Sequence, residues 1–191
     1  AGRVIPQQRR RCEHEEIHAH RIPVELAQAN HRHRHGFAGH VELQAVADAL
    51  RPLGKGLIVR PFSALTEDYE AILAAIEKVE CENLAVMEKT EPYDWNPFLP
   101  DSPFMRKVGN RELRAEADAG AEYYGQSIIP ACHPHYLADR LRGAYEKGAR
   151  TFVLRADRAN NPAVGTLNEI NIVAATAWVK DPNVDIEAVW R

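Results

Sequence analysis

The feature that most constrains this chain is a regular alternation, from Val41 onward, of short apolar runs with amphipathic stretches of helical length. GLIVRPF (56–62), NLAVMEKT (83–90), ELRAEAD (112–118) and TFVLRAD (151–157) read as strands. Between and around them, VELQAVADAL (41–50), TEDYEAILAAIEKV (66–79), HYLADRLRGAYEKG (135–148) and TLNEINIVAATAWV (166–179) read as helices. Leu43, Val46, Ala47 and Leu50 mark an apolar face on the first helix, with Gly54 as its stop. Glu67 and Asp68 sit in the first turn of the second, where the helix dipole favours them. Gly148 closes the third helix, Asp181-Pro182 ends the fourth, and a last amphipathic turn carries Ile186, Val189 and Trp190.

Strands that alternate with helices predict βα units and a parallel sheet. The runs look continuously apolar, as strands covered on both faces do. A closed eight-stranded barrel needs about 250 residues, and the chain has 191. Two α/β architectures therefore remain: a small open sheet, or part of a larger (β/α)8 barrel. A doubly wound nucleotide-binding sheet is disfavoured because no glycine-rich phosphate loop follows a strand.

Residues 1–40 read differently, and the organisation is taken as an irregular segment over 1–40 followed by the α/β part over 41–191. The first segment holds seven of the nine histidines, with runs such as Arg9-Arg10-Arg11 and His31-Arg32-His33-Arg34-His35. Periodicity is weak there, so no element is assigned. His14-Glu15-Glu16-Ile17-His18 spells the pattern of zinc peptidases, which on a helix would set two histidines on one face with Glu15 as base and His20 nearby. A His- and Glu-rich stretch produces that string readily, so a zinc peptidase is a minor alternative and adventitious metal binding a better one. No metal or cofactor is assigned to the protein.

A net charge of -3 gives no electrostatic reason to expect nucleic acid or an anionic membrane as partner. No apolar run approaches the ~20 residues of a spanning helix. No secretory leader is legible, and a start at Ala1 leaves room for an upstream segment. Cys12, Cys81 and Cys132 are odd in number and far apart, which favours small buried hydrophobes in a reducing, cytoplasmic compartment over a disulfide framework.

In parallel α/β folds the reactive side chains gather at the C-terminal strand ends. Here those ends supply Arg60, Lys89, Asp94, Glu116, Asp118, Glu122, Arg155 and Asp157. Cations mixed with carboxylates suit an anionic, hydroxyl-rich ligand, with the cations gripping a carboxylate and the acids moving protons. The alternative is that such charges only pair with one another or with solvent. The loop EPYDWNPFLPDSPFMRKVGN (91–110) is too long for a plain connector. It brings Tyr93, Trp95 and Phe98, aromatics that stack on a sugar face or pack inward. Cys132-His133-Pro134-His135 reads as loop packing or a sugar contact. Asn168 and Glu169 open the last long helix, as caps or as hydrogen-bonding partners of a substrate.

Lys89, Asp94 five residues on, Pro97, and the run Glu122-Tyr123-Tyr124-Gly125-Gln126 resemble the catalytic region of family 67 α-glucuronidases. The 28 residues from Asp94 to Glu122 equal the family's interval, Arg60 in GLIVRPF matches its preceding strand, and NEINIVAATAWVKDP is similar to its following helix. The resemblance runs collinearly over residues 41–191 and implies the C-terminal half of a (β/α)8 barrel with parallel strands. It implies an inverting glycosidase that removes an α-linked glucuronic acid, or a related uronic acid, from oligosaccharides such as those of xylan.

In that scheme Asp94 and Glu122 hold and deprotonate the attacking water, and Arg60 and Lys89 bind the uronate carboxylate. Trp95, Asn168 and Glu169 are taken as further substrate contacts. The partner is a uronic-acid-bearing oligosaccharide, and a homodimer is an option for the full-length protein. The pattern departs at one point. The family's general acid is a glutamate one strand earlier, and its spacing counted back from Arg60 lands on Ala27, beside Gln28-Ala29-Asn30, with Glu25 the nearest acid. A carbohydrate-binding remnant without that acid is therefore the second reading.

Overall fold

A computed structural model of the chain describes residues 35–62, 66–92, 95–122, 129–158 and 161–190. Its centre is a four-stranded parallel sheet, β1 (Leu57–Val59), β2 (Leu84–Lys89), β3 (Glu112–Asp118) and β4 (Thr151–Arg155), with neighbours in chain order β1-β2-β3-β4. The register pairs Val59 with Val86, Lys89 with Glu116, and Asp118 with Arg155. Helices α1 (His35–Leu50), α2 (Thr66–Lys78), α3 (Pro134–Glu146), α4 (Glu169–Lys180) and α5 (Ile186–Trp190) complete the α/β fold. None of the described helices is long and apolar enough to cross a membrane.

Side chains alternate across a strand, and here the alternation separates a helix-covered face from an ionic one. Leu84 and Val86 of β2 pack with Tyr69, Leu73 and Ile76 of α2 and Ala47 of α1. Ala117 of β3, with Phe152 and Leu154 of β4, packs with Leu137 and Leu141 of α3 and Trp178 of α4. Truncating a residue placed like Leu141 to alanine costs about 2–5 kcal/mol. The opposite face carries Glu112, Arg114, Glu116 and Asp118 of β3, interleaved with Leu113, Ala115 and Ala117. The expectation of strands apolar on both faces is thus corrected: β3 is two-faced.

Among the described residues, no α-helix lies between β2 and β3. A 3-10 helix, η2 (Pro103–Lys107), fills that place in the helix layer. Its Phe104 stacks on Tyr69 of α2, ring centroids 3.8 Å apart, and its Met105 packs with Leu113, Ala115 and Ala144 of α3. Arg111 just beyond donates to the carbonyls of Cys81 and Val79 at 2.9 and 2.6 Å, satisfying main-chain groups after α2.

Three boundaries differ from the sequence reading. Helix α1 begins at His35, inside the stretch taken as irregular through residue 40. Gly36 and Gly39 are poor helix formers, but packing decides: an added Cβ on Gly39 would lie 3.8 Å from Ala75, and His40 Nε2 stands 3.2 Å from Lys78 O. Val46 proves exposed rather than part of the apolar face. β4 ends at Arg155, and Asp157 begins a small hairpin, β5 (Asp157–Arg158) with β6 (Asn161–Pro162), instead of prolonging the strand.

Candidate active site

The C-terminal edge of the sheet gathers Arg60, Lys89, Glu116, Asp118, Glu122 and Arg155. Glu116, beside Lys89 in the register, accepts from Arg60 Nε at 2.5 Å. Asp118, beside Arg155, turns the chain: its carboxylate accepts from the backbone N–H of Gly120 at 3.2 Å and of Glu122 at 2.7 Å. That turn sets the buried Glu122 under the edge, with Arg155 Nε 2.9 Å from its Oε2, an ion pair off the line of a hydrogen bond. The indole N–H of Trp95 donates to the same oxygen at 3.1 Å.

Lys89 lies against two aromatic faces, 4.6 Å from the Phe62 centroid and 5.3 Å from that of Trp95. Phe62 also faces the Arg60 guanidinium at 5.8 Å and is 55% exposed. The site therefore has a cationic side, Arg60 and Lys89 with Phe62, and an acidic side built on Glu122, with Trp95 touching both.

Burial raises the Asp118 carboxyl above its ordinary range, the neighbouring Glu122 adds to the rise, and the two backbone N–H bonds and His133 oppose it. Two carboxylates at close quarters and short of water behave this way. Backbone conformation marks the same spot. Among the described residues, the non-glycine positions with positive φ are Trp95 at 56° and Ala121 at 57°. Left-handed backbone costs an L-residue about 1–2 kcal/mol, and such cost concentrates at functional sites.

The structure thus brings together Arg60, Lys89, Trp95 and Glu122 among the predicted site residues. Asp94 and Tyr93 lie outside the described residues, as do Tyr123–Gln126 and the histidine-rich motif at 14–18. Trp95 needs correction in its role: at 3% exposure it is no open sugar platform but a hydrogen-bond donor to Glu122. Phe98, by contrast, is 91% exposed.

Asn168 and Glu169 are not in the site as expected. Asn168 is buried; its Oδ1 accepts from Ala131 N at 2.7 Å and its Nδ2 faces Ile129 O at 3.4 Å. Glu169 accepts from Gly165 N at 2.8 Å, a local turn contact. Asn171 does the same work one turn on, bonding His133 N, Ala119 O and Ala131 O. These amides hold the segment 129–133 against α4.

Arg155, Glu116 and Asp118 appear in sequence as strand ends without a role, and Phe62 carries no assignment there. The alternation of charged and small residues along Glu112–Asp118 is the signal that marks an ionic sheet face. Among the described residues, no group of three or more His, Cys, Asp or Glu converges as metal ligands. The sequence matches no protein-family description and no curated protein.

Proposed function

We propose that this chain is the C-terminal part of a (β/α)8-barrel glycoside hydrolase that releases an α-linked uronic acid with inversion. The observation that carries the reading is Glu122: a buried carboxylate held by Arg155 and the Trp95 N–H at the C-terminal edge of a parallel sheet, with Arg60 and Lys89 grouped nearby. Sequential strand order supports a barrel segment, since a doubly wound sheet reverses order at its switch point.

Glu122, with Asp94, holds and deprotonates the water that attacks the anomeric carbon. Arg60 and Lys89 take the uronate carboxylate, Lys89 as a point charge and Arg60 as a planar donor whose Nε is already fixed by Glu116. Phe62, half-exposed over both cations, gives the pyranose ring an apolar face to lie on. The general acid is unassigned in this chain. Xylan-derived oligosaccharides are the natural class of substrate on this reading, in a cytoplasmic setting.

A substrate whose leaving group needs no proton separates the parts of this proposal. α-Glucuronosyl fluoride departs as fluoride, so water activation alone suffices. The parent chain should hydrolyse it, and calorimetry should show binding of glucuronate but not of glucose. Failure of both would reject the reading. Glucuronate binding without turnover of the fluoride would favour the second reading, a uronate-binding remnant; turnover of the fluoride but not of an alkyl glucuronide would mark a site that lacks only its general acid, as Ala27 at the counted-back position suggests.

A further inference from the structure

We infer that Arg140, on α3 and outside the ionic edge of the sheet, is the positioning residue for Glu122, acting through the loop that carries Trp95. The inference rests on the proposed role of Glu122 for its catalytic meaning, but its geometry stands apart from any substrate.

The Arg140 side chain holds the loop on both sides of Trp95. Before it in sequence, the Nε lies 3.5 Å from the Glu91 carboxylate. After it, one Nη donates to Asp101 at 2.9 Å, and the other donates to the carbonyls of Pro97 at 3.1 Å and Leu99 at 2.5 Å. Four loop groups thus converge on one planar cation whose far face lies 4.9 Å from the Tyr136 centroid. Glu91 is itself fixed, accepting from the hydroxyls of Tyr136 and Thr90. Lys147 Nζ adds a second contact to Asp101 at 2.5 Å.

Helix α3 is cut to receive this loop. A Cβ on Gly143 would stand 2.2 Å from Asp101 Oδ2 and 3.0 Å from its Cγ. Glycine inside a helix costs about 1 kcal/mol relative to alanine, and the seat of Asp101 is the physical reason for it here. Between the clamped ends, Trp95 holds its left-handed backbone and directs its N–H to Glu122. Without the clamp nothing in the local sequence favours that conformation for a tryptophan. A lysine at 140 keeps one charge but loses the fork that spans four acceptors.

The chain has three tryptophans, so three indole N–H signals report in a 15N–1H spectrum, assignable by Trp95→Phe and Trp178→Phe. Arg140→Lys should move the Trp95 signal in the direction that Glu122→Gln moves it, and leave that of Trp178, in the core, in place. Turnover of α-glucuronosyl fluoride should then fall between about tenfold and 100-fold in kcat, with KM changed less than about twofold. Lys147→Met, which removes one Asp101 contact and leaves the fork intact, should give a smaller shift in the same direction.

An unmoved Trp95 signal in Arg140→Lys would overturn the inference. So would a joint displacement of the Trp95 and Trp178 signals, which would make Arg140 a general stabilising residue. A Trp95 shift in a chain that never turns over the fluoride would uphold the positioning and reject the catalytic reading of Glu122.

Discussion

The indole of Trp95 and the carboxylate of Glu122, 27 residues apart, meet at 3.1 Å, and both are almost fully shielded from water. A charge-assisted bond in such a place orients the acceptor as well as stabilising it. Because the same Oε2 also faces Arg155, one carboxylate oxygen is fixed by a hydrogen bond from Trp95 and an ion pair with Arg155, which come from two different strand-end segments.

Trp95→Phe keeps an aromatic ring in a slightly smaller volume and deletes the donor. Hydrogen bonds to charged groups contribute about 1.5–3 kcal/mol, so kcat for the activated α-glucuronide should drop between about tenfold and 100-fold. The affinity for glucuronate, set by the cations, should change little. Equal losses in glucuronate affinity and turnover would show that Trp95 acts on binding instead.

Lys89→Met tests the cationic side. Removing a charge that meets a ligand carboxylate should weaken glucuronate binding about tenfold or more in calorimetry, and the parent's affinity should fall as salt is raised. Neutral glucose should bind neither protein. A glucuronate affinity unaltered by Lys89→Met would detach the cations from the ligand.

Glu88 gives a prediction about stability. It points from β2 into the helix layer, accepts from the Tyr69 hydroxyl and from Ser102 Oγ at 2.7 Å, and burial pushes its carboxyl up to about 7, against the opposing pull of those bonds and of Lys89 and Arg60. The sign follows from linkage. Between the ordinary glutamate range and about 7, the folded chain keeps a proton that the unfolded chain releases, so stability from this group falls as pH rises through that window. The full loss is on the order of 3 kcal/mol. Denaturant unfolding of Glu88→Gln should therefore compare better with the parent at pH 8 than at pH 5. A difference independent of pH would contradict the assignment.

The legible parts of the fold were those whose signal is local. β4 stands out as a β-branched and aromatic run and β3 by its two-residue alternation, and α3 ends where Gly148, at φ 107°, requires a left-handed turn. The start of α1 is hidden by Gly36 and Gly39, poor helix formers, and is revealed by the packing of Gly39 against Ala75 of α2. η2 was hidden because Phe104 and Met105 earn their burial from Tyr69 and Ala144, far along the chain. The site was legible as a list of strand-end charges, because a parallel sheet delivers every strand end to one edge. Which of those charges meet depends on register and on the docking of residues 95–102 by Arg140, and neither is written in local periodicity. Trp95 differs from its expectation for that reason: an aromatic in a long loop looks like a platform until its clamp is seen. Asn168 reads in sequence as a substrate contact, and in the structure its amide secures Ala131 and Ile129 instead.

The central claim is that Glu122 activates the water that displaces the aglycone from the face opposite the glycosidic bond. Proton NMR of α-glucuronosyl fluoride hydrolysis reads this directly, because inversion must deliver β-glucuronic acid before mutarotation. The account predicts the β-anomer first from the parent chain and no release above the uncatalysed rate from Glu122→Gln. Initial release of the α-anomer, or undiminished release by Glu122→Gln, would contradict it.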